Sequence, residues 1–234
     1  MNQWLEFARG PLFIATFSLM VLGLVRLVGL ELFEMTRSWL RMRDRNIPWK
    51  QNLKTTAEWI VPVRSIGRSR PLMSVASFLF HVGLIVTPIF LAEHILLWRR
   101  GIGFGWPGLG PALADFLTLM TIVAGLYLLA ARVFHPATRA LSKFSDYALL
   151  ILLLVPFVSG YLAMHPHLLF TRIETMLLVH ILSGELVFVL IPFTKMAHVV
   201  MFPFNRVSSD FYWRFPADGP DRVAEALHGK EVKA

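Results

Sequence analysis

Four histidines fall in long apolar stretches: His81, His94, His180 and His198. An ionisable side chain inside a membrane span is by default a functional residue, although a lone imidazole there can simply hydrogen-bond across a bundle. The spacing separates these readings. His180 and His198 are eighteen residues apart, five turns of an unbroken helix, and would project from one face ~27 Å apart along the axis. His81 and His94 sit toward opposite ends of another apolar stretch. If the two stretches run antiparallel, His81 meets His198 near one membrane surface and His94 meets His180 near the other. Two such pairs are what bis-imidazole ligation of two haem irons between facing helices requires.

The neighbouring residues fit the same chemistry. Gly184 lies one turn after His180, where the missing side chain lets a flat macrocycle approach; close helix contact is its ordinary use. Pro192 removes a backbone donor and kinks a helix. Lys195 can reach the interface and pair with a haem propionate. Arg26 needs an anion, either a second propionate or Glu31 or Glu34. Glu93, beside His94, and Glu185, five residues past His180, are candidate proton groups. Their plain alternatives are an ion pair with Arg99 or Arg100 for Glu93 and an interhelical hydrogen bond for Glu185. One feature resists: thirteen residues at 100° each put His81 and His94 on nearly opposite faces. Pro88 between them could redirect the helix; otherwise His165 or His167, in "MHPHLL", replaces His94. His135 reads as a loop residue and His228 as part of the polar tail.

Positioning these residues takes membrane-spanning elements. The 234-residue chain is 56% hydrophobic and only 16% charged, with a mean hydropathy of +0.59, well below the charge content of soluble domains. Five apolar runs reach the roughly 20 residues a spanning helix needs: about 11–33, 73–98, 112–134, 145–164 and 175–202. They are too long and uniform for barrel strands, so the predicted fold is all-α, a bundle of five transmembrane helices over 1–204 followed by a tail, 205–234. The first run has no cleavage-site pattern and reads as a retained helix.

Seventeen Lys and Arg lie in the 37–70 connection, the third-to-fourth connection and the tail; the opposite side has four, Arg9, Arg99, Arg100 and Arg172. The positive-inside rule puts the N-terminus outside and the C-terminus in the cytoplasm. The net charge of +8 is then a topology signal and gives no support for nucleic-acid binding. "WKQNLKTTAEWIV" in the 37–70 connection reads equally as a solvated loop or as an interfacial helix turning Trp49, Leu53, Ile60 and Val61 to lipid. With no cysteine, the chain itself cannot hold an iron–sulfur cluster, a covalently attached c-type haem or a disulfide.

The segment "VHILSGELVFVLIPFTKMAHVV" resembles the fifth helix of the respiratory nitrate reductase gamma subunit family, dihaem b cytochromes. It shares a His, three residues, Gly, then Phe, Pro-Phe, a hydroxyl residue, a basic residue and a second His. "FHVGLIV" resembles that family's second helix, although the second histidine of this span comes later here. The chain is also similar to membrane cytochrome b subunits of heterodisulfide-reductase-like and sulfite-reduction-associated complexes. The resemblance implies His81 and His198 as ligands of a cytoplasmic-side haem and His94 and His180 as ligands of an outer one. It further implies a quinone-reactive subunit in a bacterial or archaeal cytoplasmic membrane. Such a subunit would pass electrons from quinol, menaquinol being the expected form, to a cytoplasmic iron–sulfur partner docked on the 37–70 connection and the tail. The competing expectations are a conduit from an outer multihaem protein and a haem-free anchor or transporter.

Overall fold

The computed structural model describes residues 2–42, 47, 49–60, 71–169, 171–213 and 219–228. It is 90% helical, with no strand among the described residues. Five of its helices are long and apolar enough to cross a membrane: Asn2–Arg41, Pro71–Phe90, Pro111–Phe134, Phe144–Met164 and Ile173–Phe193. The chain is therefore an all-α, multi-pass membrane protein. In lipid a helix satisfies its backbone polar groups internally.

In chain order the helices are α1 (Asn2–Phe7), α2 (Phe13–Arg41), α3 (Trp49–Ile60), α4 (Pro71–Phe90), α5 (Ala92–Ile102), α6 (Pro111–Phe134), α7 (Pro136–Leu141), α8 (Phe144–Met164), α9 (Ile173–Leu190), α10 (His198–Trp213) and α11 (Gly219–His228). A π-helical turn, Ala8–Leu12, joins α1 to α2. The first apolar helix is thus longer at both ends than the run 11–33. The 37–70 connection contains the end of α2 and the whole of α3; residues 61–70, including Val61, lie outside the described residues.

The chain divides into two compact units, one of residues 1–13 and 61–187, the other of 14–60 and 188–234. In the first, α4 packs on α6 and α6 on α8. Phe80, Ala124, Leu128, Leu150 and Leu154 are buried at the centre of this group. Side chains cannot drive helices together in lipid by the hydrophobic effect, so small residues that allow close approach take that role. Gly83 of α4 does this: the hydroxyl of Thr121, fully buried, occupies the space a Cβ would take. The Thr121 hydroxyl donates to Leu117 O at 2.6 Å, so no polar atom is stranded by the approach. The part of α9 in this unit is not among the closely packed pairs.

In the second unit, Met42 and Ile47 are buried against Met35 and Val207, and α3 packs on α10. Phe17 meets Phe188 edge-on at 5.9 Å. Gly23 of α2 faces Pro192; a Cβ there would come within 2.6 Å of the proline ring.

Two apolar runs read as single helices are interrupted. The second stops at Phe90, passes through Leu91 in an extended conformation (φ −68°, ψ 131°) and restarts at Ala92. The fifth ends at Leu190 and continues as two 3₁₀ turns, Ile191–Phe193 and Lys195–Ala197, around an extended Thr194 (φ −128°, ψ −178°). His198 opens a separate helix, α10. The expectation that His180 and His198 share one face of a continuous helix is therefore corrected. Pro192 lacks the donor that would bond four residues back, and Thr194 then reorganises the chain locally. Its hydroxyl donates to Leu190 O at 2.8 Å and accepts from Met196 N at 3.3 Å.

Candidate functional site

The break at Leu91 resolves the phase problem of the second span. A helix C-terminus leaves four carbonyls without intrahelical donors. Here all four have partners: Leu91 N donates to Thr87 O, His94 Nδ1 to Pro88 O at 2.9 Å, Trp106 Nε1 to Ile89 O at 3.0 Å, and Leu109 N to Phe90 O. Restarting the helix lets His94 turn to a direction that an unbroken helix would have denied it.

In that direction lies His180. The two imidazole rings are nearly parallel, 14° apart, with centroids 5.9 Å from each other. His180 is held by α8. Its Nδ1 donates to Pro156 O at 2.8 Å, and its ring edge rests on Gly160, where a Cβ would come within 2.9 Å of Cε1 and Nδ1.

The tautomer follows from the partners. A carbonyl only accepts, so Nδ1 carries the hydrogen on both rings and Nε2 keeps its lone pair. Metal-bound histidines are usually oriented by such a hydrogen bond through the other nitrogen. A metal taking one nitrogen from each ring at about 2.0–2.1 Å holds the ring centres roughly 6 Å apart. The observed spacing fits this. A Cβ at Gly184 would meet nothing within 4 Å among the described residues, so none of their helices packs against it there.

His81 and His198 have the same backbone anchoring. His81 Nδ1 donates to Ser77 O at 2.7 Å, and His198 Nδ1 to Lys195 O at 2.6 Å. His81 belongs to the first unit and His198 to the second, so their pairing is an expectation of the sequence alone. Arg26 lies one turn after Gly23 on α2, and Lys195 three residues after Pro192, so both cations flank the Gly23–Pro192 contact within the second unit. Glu34 pairs with Arg37 at 3.9 Å rather than with Arg26.

The two candidate proton groups differ sharply. Glu93 is exposed in the first turn of α5, a favourable end for a carboxylate, and makes no ion pair with Arg99 or Arg100. Glu185 is only 4% exposed, and neither carboxyl oxygen has a hydrogen-bond partner among the described residues. The interhelical hydrogen bond considered for it is not made within them.

His165 is engaged differently from the other four. Its Nδ1 donates to Tyr161 O at 2.9 Å, its Nε2 faces Asp115 Oδ2 at 3.3 Å, and its ring lies over Tyr161 at 4.2 Å. With both nitrogens occupied, it is a poorer ligand than His94. His167 meets His165 edge-on and has no ring contact with His180. Sequence reasoning passed over Asp115, Pro156, Gly160 and Trp106. An acid one turn inside the third span was a readable signal for Asp115. Nothing in the sequence marked the other three. Among the described residues no cluster of three or more metal-ligand side chains occurs.

A protein from Nitratidesulfovibrio vulgaris (strain Hildenborough) is 35% identical over 155 residues, 66% of this chain and 67% of its own length. The chain belongs to that protein's family. The relative's name, "Protein", states no activity. No family model matches the chain, and no solved structure matches it. Family membership thus places a bacterial protein beside this one and leaves the chemistry to be argued from the site.

Proposed function

We propose that the chain is the membrane-anchoring dihaem b cytochrome subunit of a respiratory complex, carrying electrons from quinol at the outer face to a cytoplasmic redox partner. One observation supports this most. His94 and His180, brought from separate helices, stand as parallel imidazoles at ligation spacing, each turned by a backbone carbonyl so that Nε2 keeps its lone pair.

In this reading His94 and His180 hold the outer haem and His81 and His198 the cytoplasmic-side haem, while Arg26 and Lys195 pair with propionates. Bound haem supplies one-electron transfer. The chain's own part is to orient the imidazoles, to leave space at Gly184, and to manage protons through Glu93 and Glu185. The clustering of Lys and Arg favours an outward N-terminus. It also favours a cytoplasmic iron–sulfur partner docked on the basic 37–70 segment and the tail. Menaquinol is the expected donor, and a bacterial or archaeal cytoplasmic membrane the expected location.

The test is a pair of substitutions. His94→Ala and His180→Ala are expected to remove the same component of the b-type spectrum of the purified protein. Loss of two different components, or of none, overturns the pairing.

A further inference from the structure

His165 Nδ1 donates to Tyr161 O at 2.9 Å, and its Nε2 faces Asp115 Oδ2 at 3.3 Å. With Nδ1 turned to a carbonyl, Nε2 and the carboxylate oxygen are two acceptors facing each other, a place where an arriving proton would be shared. Asp115 is 43% exposed and His165 21%.

The position is as informative as the chemistry. α8 carries the seat of His180 at Pro156 and Gly160, then Tyr161 in the next position, then His165 five residues beyond Gly160. Five residues of helix advance ~7.5 Å. Along α8, His165 thus follows the seat of His180 by about that distance, in the same unit and at the end of the helix. Met164 and Leu168, 53% and 42% exposed, flank it with apolar surface. Tyr161, stacked on the ring, and His167, edge-on to it, are the other titratable groups recorded against His165 among the described residues.

We infer that His165 and Asp115 are the proton-accepting dyad of a site for a lipid-soluble aromatic diol, a hydroquinone, at the outer face. This inference rests on the proposed function, in which the group held by His94 and His180 is the one-electron acceptor. The diol's two O–H bonds break. Its two electrons would leave one at a time to that haem, the first being handed on to the cytoplasmic partner before the second arrives, and the two protons would pass in turn to the dyad, each released to outer water before the next. The diol becomes a quinone.

The experiment uses the full chain, purified with its haem, and the variants His165→Gln and Asp115→Asn. Binding of a heptyl-hydroxyquinoline N-oxide, followed by quenching of its fluorescence, is expected to weaken at least tenfold in both. Haem reduction by menadiol is expected to slow by roughly 100-fold, the scale of a lost acid–base group, while dithionite still reduces all the haem. Wild-type probe affinity and menadiol rate in both variants overturn the dyad and leave the proposed function standing. Loss of a haem in His165→Gln makes that residue a ligand and also overturns it. A wild-type protein without haem overturns the proposed function, and the dyad's role falls with it.

Discussion

Pro88 stands six residues before His94, and Pro192 six before His198. In both places an apolar helix ends within two residues of the proline, at Phe90 just after Pro88 and at Leu190 just before Pro192, and a new helix carries the histidine. The two breaks are held in different ways. At the first, the freed carbonyls are taken by groups far along the chain, Trp106 and Leu109 among them. At the second, Thr194 and Lys195 satisfy their own neighbourhood. The same spacing thus yields a break fixed by tertiary contacts in one unit and a locally encoded break in the other. The first can place its histidine against another helix only once the surrounding bundle has formed.

The largest expected effect comes from removing a histidine behind each break. His94→Ala and His198→Ala should each lower haem per chain by about half, read as pyridine haemochrome absorbance, and each should remove a different spectral component. Equal loss of the same component from both would erase the distinction between the breaks.

Next comes Gly160→Ala, which drives a Cβ to within 2.9 Å of the His180 ring. Because His180 is also tied to Pro156 O, it cannot retreat without losing that bond. The outer haem should fall in occupancy or shift in a redox titration, with the other component unchanged.

Smaller effects compare the caps. Trp106→Phe leaves Ile89 O without its donor, a loss of roughly 0.5–1.5 kcal/mol for this exposed bond. Thr194→Ala removes a local cap worth about 1 kcal/mol. Unfolding in mild detergent should show losses of similar size for the two variants. Only the first should also disturb the outer haem. The smallest effect on the fold belongs to Gly184→Ala, where a methyl meets no atom of the described residues within 4 Å. Its unfolding midpoint should match the wild type, and lowered haem occupancy would then locate the macrocycle beside it.

Much of this was legible in the sequence. Run length and low charge identified five helical spans, because lipid permits few alternatives. The second span breaks at Leu91, three residues after Pro88, between the two histidines whose phases disagree. The fifth was read as kinked but continuous, since a proline alone often bends a helix without ending it. The end of α9 also depends on Thr194, whose hydroxyl stabilises an extended backbone that composition does not reveal. The His165–Asp115 pair was missed for a simpler reason. Asp115 starts one span and His165 ends the next, and antiparallel neighbours bring such ends together, but sequence spacing alone does not show which acid such a histidine meets. Pro156 and Gly160 gave no signal because a proline or glycine in a span has many uses, and only a packed imidazole distinguishes this one.

The central claim is that these histidines hold haem. Its most direct test is the ratio of haem to protein in the purified full chain, together with its dithionite-reduced spectrum. The account expects two b-type haems per chain and a split or broadened α band. A protein with no Soret absorbance, prepared from cells supplied with haem, would contradict it.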